Sequence, residues 1–269
     1  MFDEILQAAP VFLLIAVRAL AMIETAPLLS SEAVPQVAKI ALSGFAAYAV
    51  FPAARNVPFF SGVSPELFGL SFVFLAVGEA IIGIIIGFFL TILYAAFSTA
   101  GQFFSLQMGF GASETFDPLS QIENPLMGQY LNLVAMLVFL STGGFQQLFL
   151  GGFQRSIQSL STPALVAGRE TVVNMLATGL SRLFLDAIII SLPILGTLFL
   201  TSLTTGLISK SAPQINILSE GFPISITAAF ILIAATLPFM VEAFGRVVNA
   251  AFASLESLYI QIGSQIEGL

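Results

Sequence analysis

Six ionisable side chains interrupt apolar stretches and are the first candidates for chemistry: Arg18, Glu24, Glu79, Arg182, Asp186 and Glu242. Such groups are costly in a membrane-type segment and turn toward a bundle interior or a cavity. They could relay protons or ions, or they could pair and neutralise one another. Arg182 and Asp186, like Glu242 and Arg246, stand four apart, a spacing that puts both on one helix face. No carboxylate dyad or lysine–carboxylate cluster accompanies them, so pairing is the favoured reading. The sequence has no cysteine and no histidine. That removes thiol nucleophiles, disulfides, the usual imidazole base and the commonest metal ligands. We expect no catalytic residues, no metal and no cofactor.

The elements that hold these groups must be membrane-type. Only 9 % of the 269 residues are charged and 57 % are hydrophobic, with a mean hydropathy of +1.00. A soluble domain carries roughly 25 % charged residues. The net charge of −7, with eight scattered cationic residues, excludes a nucleic-acid surface. The N-terminus, Met1-Phe2-Asp3-Glu4, is acidic where a cleaved signal would be basic, so the first apolar segment is expected to stay. That segment, Ile5 to Leu29, is punctuated by Pro10 and Pro27, which mark a helix start and a helix end or kink. Ile40 to Ala54 follows, and Leu67 to Ser113 reads as one long helix or a hairpin. Asn124 to Gln154 is uncharged and broken at Thr142-Gly143-Gly144. A loop at Pro163 to Glu170 leads to Thr171–Ser209, a turn at Pro213–Phe222, a last span to Val241 and an amphipathic tail. The expectation is an all-α membrane-type protein of about six to eight kinked or broken apolar helices. Poor charge asymmetry and the absence of tryptophan leave its orientation open and suggest that much of its surface faces protein.

Two patterns stand out on these elements. Gly83-Ile-Ile-Ile-Gly87 is a G-x-x-x-G motif, which lets two helix backbones approach closely within the chain or with a partner. Gly101 to Gln129 gathers uncharged polar side chains and glycines between apolar flanks. It is either a solvent-exposed loop or a hydrophobic constriction that gates by excluding water.

Further residues, in order, resemble the FliR family. They are Ala26-Pro27, Val34-Pro35-Gln36-Val37-Ala38-Lys39, Glu79 with Gly83 and Gly87, Gly101, Gly109-Phe110-Gly111, Asp117-Pro118, Ser156, Pro163, Pro193 and Gly206. Pro213-Gln214-Ile215-Asn216 and Gly221-Phe222-Pro223 are the more specific parts. Phe145 stands where family members often have a histidine. The family is the R subunit of the flagellar export gate, related to the T-type subunit of virulence type III secretion systems.

The resemblance implies one export-gate domain over 1–269. Its P-like part covers about 1–180 with a plug loop at 106–123, and a Q-like helical hairpin and tail cover about 181–269. It implies that Gln107, Met108, Gly109, Phe110, Gly111, Phe116, Asp117 and Pro118 form the plug. Gly83, Gly87, Glu79, Arg182 and Asp186 are expected at helix or subunit contacts, and Pro213, Gln214, Asn216, Gly221 and Pro223 carry the family motif. Implied partners are several P-type and Q-type subunits around one copy of this chain, the B-type switch and A-type export subunits, and unfolded flagellar cargo. The implied place is the bacterial inner membrane within the flagellar basal body. The rival readings are a virulence-type subunit of the same fold and a secondary transporter, which would need two similar halves with interrupted helices.

Overall fold

The computed structural model describes residues 2–55, 57–61, 69–109, 126–211 and 217–267. Every regular element among them is a helix. In chain order these are α1 (Phe2–Thr25), α2 (Gln36–Ala54), α3 (Pro58–Ser61), α4 (Leu70–Met108), α5 (Leu126–Ser141), α6 (Gly144–Ser159), α7 (Thr162–Ala167), α8 (Arg169–Ser211) and α9 (Ile217–Glu267). Among the described residues five helices are long and apolar enough to cross a membrane, or six if α5 and α6, broken at Thr142–Gly143, form one span. The all-α expectation holds because uninterrupted apolar helices satisfy every backbone group internally, as a membrane-type environment demands.

Several boundaries differ from the sequence reading. Of the two readings left open for 67–113, the long helix is realised, since α4 runs 39 residues, about 58 Å. Pro10 lies inside α1 instead of starting it, whereas Pro27 does fall just past its end. The expected loop at 163–170 contains α7. Ser161 caps it by accepting from the Ala164 N–H at 3.3 Å, and Pro163 occupies its first turn, where a missing N–H costs nothing. The last span and the amphipathic tail are a single helix, α9, which absorbs Gly221, Pro223 and Pro238. Apolar packing outweighs the roughly 3 kcal/mol that a proline costs a helix interior. Within α6, residues Gln147–Gln154 form a π-helix.

The chain divides into two compact units. The first comprises Met1–Ile92, Gly143–Gly179 and Asn249–Leu269, and the second Leu93–Thr142 and Leu180–Val248. The core of the first is built from Leu14, Ile15, Met22, Ile82, Ile86, Phe153 and Leu258. Its α1 and α2 pack together through Phe12 and Phe51, edge to face at 6.2 Å. Lys39, on α2, donates to Glu24 Oε2 at 3.0 Å and to the Ser30 carbonyl at 3.1 Å, which ties the α1–α2 turn shut. The second unit buries Phe104, Met127, Leu131, Phe139, Ala187 and Leu198, and sets Phe97 against Phe244 with ring centroids 4.2 Å apart and planes inclined by 49°.

Candidate functional site

The first unit closes around a buried ionic cluster. Arg18 and Glu79 are both fully buried. Arg18 Nε donates to Glu79 Oε2 at 2.6 Å, and Nη2 lies 2.6 Å from the same oxygen. Nη1 donates to Ser156 Oγ at 3.1 Å, and Nη2 also donates to the Leu160 carbonyl at 2.8 Å. Thr162 Oγ1 reaches Glu79 Oε1 at 3.4 Å, and Ser156 Oγ donates to the Phe153 carbonyl at 2.7 Å. One ion pair therefore holds α1, α4, the end of α6 and the start of α7. Leu160 needs this, because its extended backbone (φ −116°, ψ 104°) breaks the helix and leaves a buried carbonyl to satisfy. The π-helix gains a second prop from α9, where the buried Tyr259 hydroxyl donates to the Gly152 carbonyl at 2.9 Å.

The G-x-x-x-G motif lies on the same α1–α4 contact. A methyl group on Gly83 would fall on the Arg18 carbonyl, 2.9 Å from Ala21 Cβ. One on Gly87 would fall on Thr25, 2.8 Å from the Met22 carbonyl. Thr91 Oγ1 donates to the Thr25 carbonyl at 2.9 Å one turn on. Of the two possibilities left open for the motif, contact within the chain is therefore realised, and it sets the helix separation that lets Glu79 meet Arg18.

In the second unit, α4 and α5 carry the two ends of the polar segment. A methyl on Gly101 would lie 2.6 Å from Gly128 Cα, and one on Gly128 would lie 3.1 Å from the Ser98 carbonyl. Beyond this crossing α4 ends at Met108, fully buried, with Gln107 half-buried. Gly109 follows at φ +88°, and its N–H donates to the Leu106 carbonyl at 3.1 Å. That left-handed backbone stops the helix, and a glycine holds it without steric cost. Phe110, Gly111, Phe116, Asp117 and Pro118 lie outside the described residues.

The remaining expected residues are placed as follows. Arg182 is exposed and Asp186 half-buried on α8. Among the described residues the ion pair at four-residue spacing is Glu242–Arg246, at 2.7 Å, while none forms between Arg182 and Asp186. Gly221 and Pro223 sit in the first turns of α9, and Pro213, Gln214 and Asn216 lie outside the described residues. The sequence reading left Arg18 and Glu79 unpaired with each other, and it did not single out Thr162, Tyr259 or the Gly128 contact. The signal available was one cation and one anion of opposite sign on separate apolar helices, each needing a partner. Among the described residues no cluster of three or more metal-ligating side chains is present.

Residues 9–251 match the family described as bacterial export proteins, family 1. The chain is 33 % identical over 234 residues to the flagellar biosynthetic protein FliR of Escherichia coli strain K12, covering 82 % of each chain. It is 28 % identical over 263 residues to FliR of Bacillus subtilis strain 168, covering 97 % of this chain and 99 % of that one. It is also 29 % identical over 161 residues to the surface presentation of antigens protein SpaR of Shigella sonnei, covering 59 % of this chain and 61 % of that one. A match spanning helices α1 to α9 in order leaves no separate domain to which the similarity could be confined, and the chain belongs to the bacterial export proteins, family 1.

Proposed function

We propose that this chain is a core subunit of a flagellar type III export gate. With P-type and Q-type subunits it forms a gated channel that passes unfolded flagellar proteins across the inner membrane. The observation that carries this is the near end-to-end similarity to flagellar biosynthetic proteins from two distant bacteria. The physical character of the helices supports it. Helix α8 has 43 residues, about 64 Å, against about 40–45 Å for a whole bilayer. Large apolar side chains are exposed along it from Val173, at 63 %, to Leu207, at 69 %. A bilayer of that thickness covers only part of such a stripe, and helices of other subunits would cover the rest.

In this reading the chain is a conduit, not an enzyme. Gln107 and Met108 lead into a plug formed with Phe110, Gly111, Phe116, Asp117 and Pro118, and Gly109 is its hinge. Residues 1–180 act as the P-like part and 181–269 as the Q-like hairpin, with Arg182, Asp186 and the 213–223 motif at subunit contacts. Energy reaches the gate through other subunits, among them the A-type and B-type components, since the sequence carries no phosphate-binding loop. The fully enclosed Arg18–Glu79 pair favours a structural role over a proton relay. Similarity to a surface presentation of antigens protein supports a second reading, the equivalent subunit of a virulence-type system.

Co-expression of the tagged chain with the P-type and Q-type proteins, followed by mass measurement in detergent, tests the proposal. One copy of this chain among several of the others is the expected result. A homogeneous particle of this chain alone refutes it.

A further inference from the structure

Helices α8 and α9 follow one another with residues 212–216 between them, and the second unit contains the whole of Leu180–Val248. Consecutive helices joined this closely lie antiparallel. Their buried side chains agree and fix the register. Leu183, Ala187, Ile194 and Leu198 on α8 stand level with Phe244, Met240, Ile233 and Ala229 on α9 at one constant register, and all of them are buried.

At that register two gaps in the helical hydrogen bonding coincide. Pro193 has no N–H to give the Ile189 carbonyl, and Pro238 has none to give the Ala234 carbonyl. Position 193 stands level with 234 and position 189 with 238, so both arms lack a backbone bond over the same turn. Ser191 and Thr236 stand level inside it, and their hydroxyls go elsewhere. Ser191 Oγ donates to the Ile188 carbonyl at 3.1 Å and Thr236 Oγ1 to the Leu232 carbonyl at 2.7 Å, while Thr197 Oγ1 donates to the Pro193 carbonyl at 2.9 Å. Hydroxyls bonded back to their own helix favour bending. A methyl on Gly196 would meet nothing within 4 Å, so on that side α8 has no neighbour just past the gap.

The hairpin is held differently on the two sides of this turn. On one side Phe244 rests against Phe97 of α4, with ring centroids 4.2 Å apart. On the other, none of the described residues over 199–211 and 221–228 is buried. A gap in one arm would be splinted by an unbroken neighbour, but gaps at one height leave neither arm to splint the other. We infer that α8 and α9 bend together at the turn that holds Pro193 and Pro238, and that the hairpin tip beyond it swings on the packed base. The bend is a property of the chain itself. Its use, fitting the exposed apolar tip to neighbouring subunits, rests on the export-gate reading.

The chain has no cysteine, so pairs of spin labels can be placed on introduced thiols. Electron-spin distance distributions are measured on the full chain in lipid nanodiscs. One pair, Leu137→Cys/Leu207→Cys, runs from α5 to the tip, and the other, Leu137→Cys/Phe184→Cys, stays at the base; all three positions are exposed. From Pro193 to Leu207 the helix rises about 21 Å, so a bend of about 20° carries the tip label about 7 Å. The tip distribution is expected to be broader than the base distribution by about that much. Pro193→Ala/Pro238→Ala restores both N–H groups with the best helix former and is expected to narrow the tip distribution to that of the base pair. Pro223→Ala, whose gap faces an unbroken stretch of α8, is expected to leave it broad. A tip pair as narrow as the base pair, a broad one unchanged by the double substitution, or one narrowed equally by Pro223→Ala overturns the inference. Mass measurement of the co-expressed complex tests the gate reading separately. A particle of this chain alone, with a tip that narrows as expected, would end that reading and leave the bend standing.

Discussion

Replacing Glu79 by Gln keeps the shape of the buried cluster and removes its negative charge. Arg18 then retains the Ser156 and Leu160 contacts, at 3.1 and 2.8 Å, but loses the ion pair formed by two nitrogens at 2.6 Å. A fully buried cation without its counter-ion costs about 3–5 kcal/mol. Against a typical total of about 5–15 kcal/mol, that is about a fifth or more of the stability of a fold. At about 2–4 °C per kcal/mol for a chain of this size, the melting midpoint falls by roughly 10 °C. Arg18→Met strands the Glu79 carboxylate with Thr162 alone and leaves the Leu160 carbonyl unpaired, so its loss is at least as large. The double variant Arg18→Met/Glu79→Leu replaces the pair by apolar groups and recovers most of the midpoint, because removing both buried charges is often neutral. The assay is thermal unfolding of the detergent-purified assembly, completed as a double-mutant cycle. A midpoint drop under 2 °C for Glu79→Gln, or a double variant as unstable as the sum of the singles, would refute the account of the cluster as a lock.

Three further outcomes follow from the geometry. Gly83→Val drives a side chain into the Arg18 carbonyl and is expected to reduce recovery of folded protein by several fold, whereas Gly196→Ala, with nothing within 4 Å of the added methyl, leaves yield unchanged; quantitative blotting of membranes separates the two. Gly109→Val forces a β-branched residue to φ +88°, at a cost of about 1–3 kcal/mol, and is expected to lower secretion of flagellar protein into the medium, while wild-type secretion would count against the hinge. Tyr259→Phe removes the side-chain donor to the Gly152 carbonyl, which keeps the Arg155 N–H, at about 0.5–1.5 kcal/mol, and is expected to speed amide exchange within Gln147–Gln154 more than within α2.

Much of this molecule was legible in its sequence. Long uncharged stretches made helices the only element able to satisfy their own backbone, and Gly83 and Gly87 announced a close helix contact. The misjudged boundaries share one cause. Pro10 and Pro223 read locally as helix boundaries, yet each lies within a helix whose packed faces outweigh the local cost. The short helix after Ser161 was missed because proline and glycine at its ends resemble a loop, although the cap and the first-turn proline are helix starts.

Composition and order of residues determined the class of this protein, its unsuitability for thiol, imidazole or nucleic-acid chemistry, and its family, since each depends on which residues occur and in what sequence. Pairing at a distance was decided by the tertiary structure alone. Arg18 and Glu79 are 61 residues apart and Tyr259 lies 107 residues from Gly152, and no local spacing encodes such meetings. Local spacing found the exposed Glu242–Arg246 pair, and it also pointed to Arg182 and Asp186, where Arg182 acts on the Asp186 carboxylate only through space, beyond contact distance. A charge is neutralised by whichever partner the fold brings into its dry surroundings, and α1 reaches Glu79 because Gly83 and Gly87 let the two backbones touch.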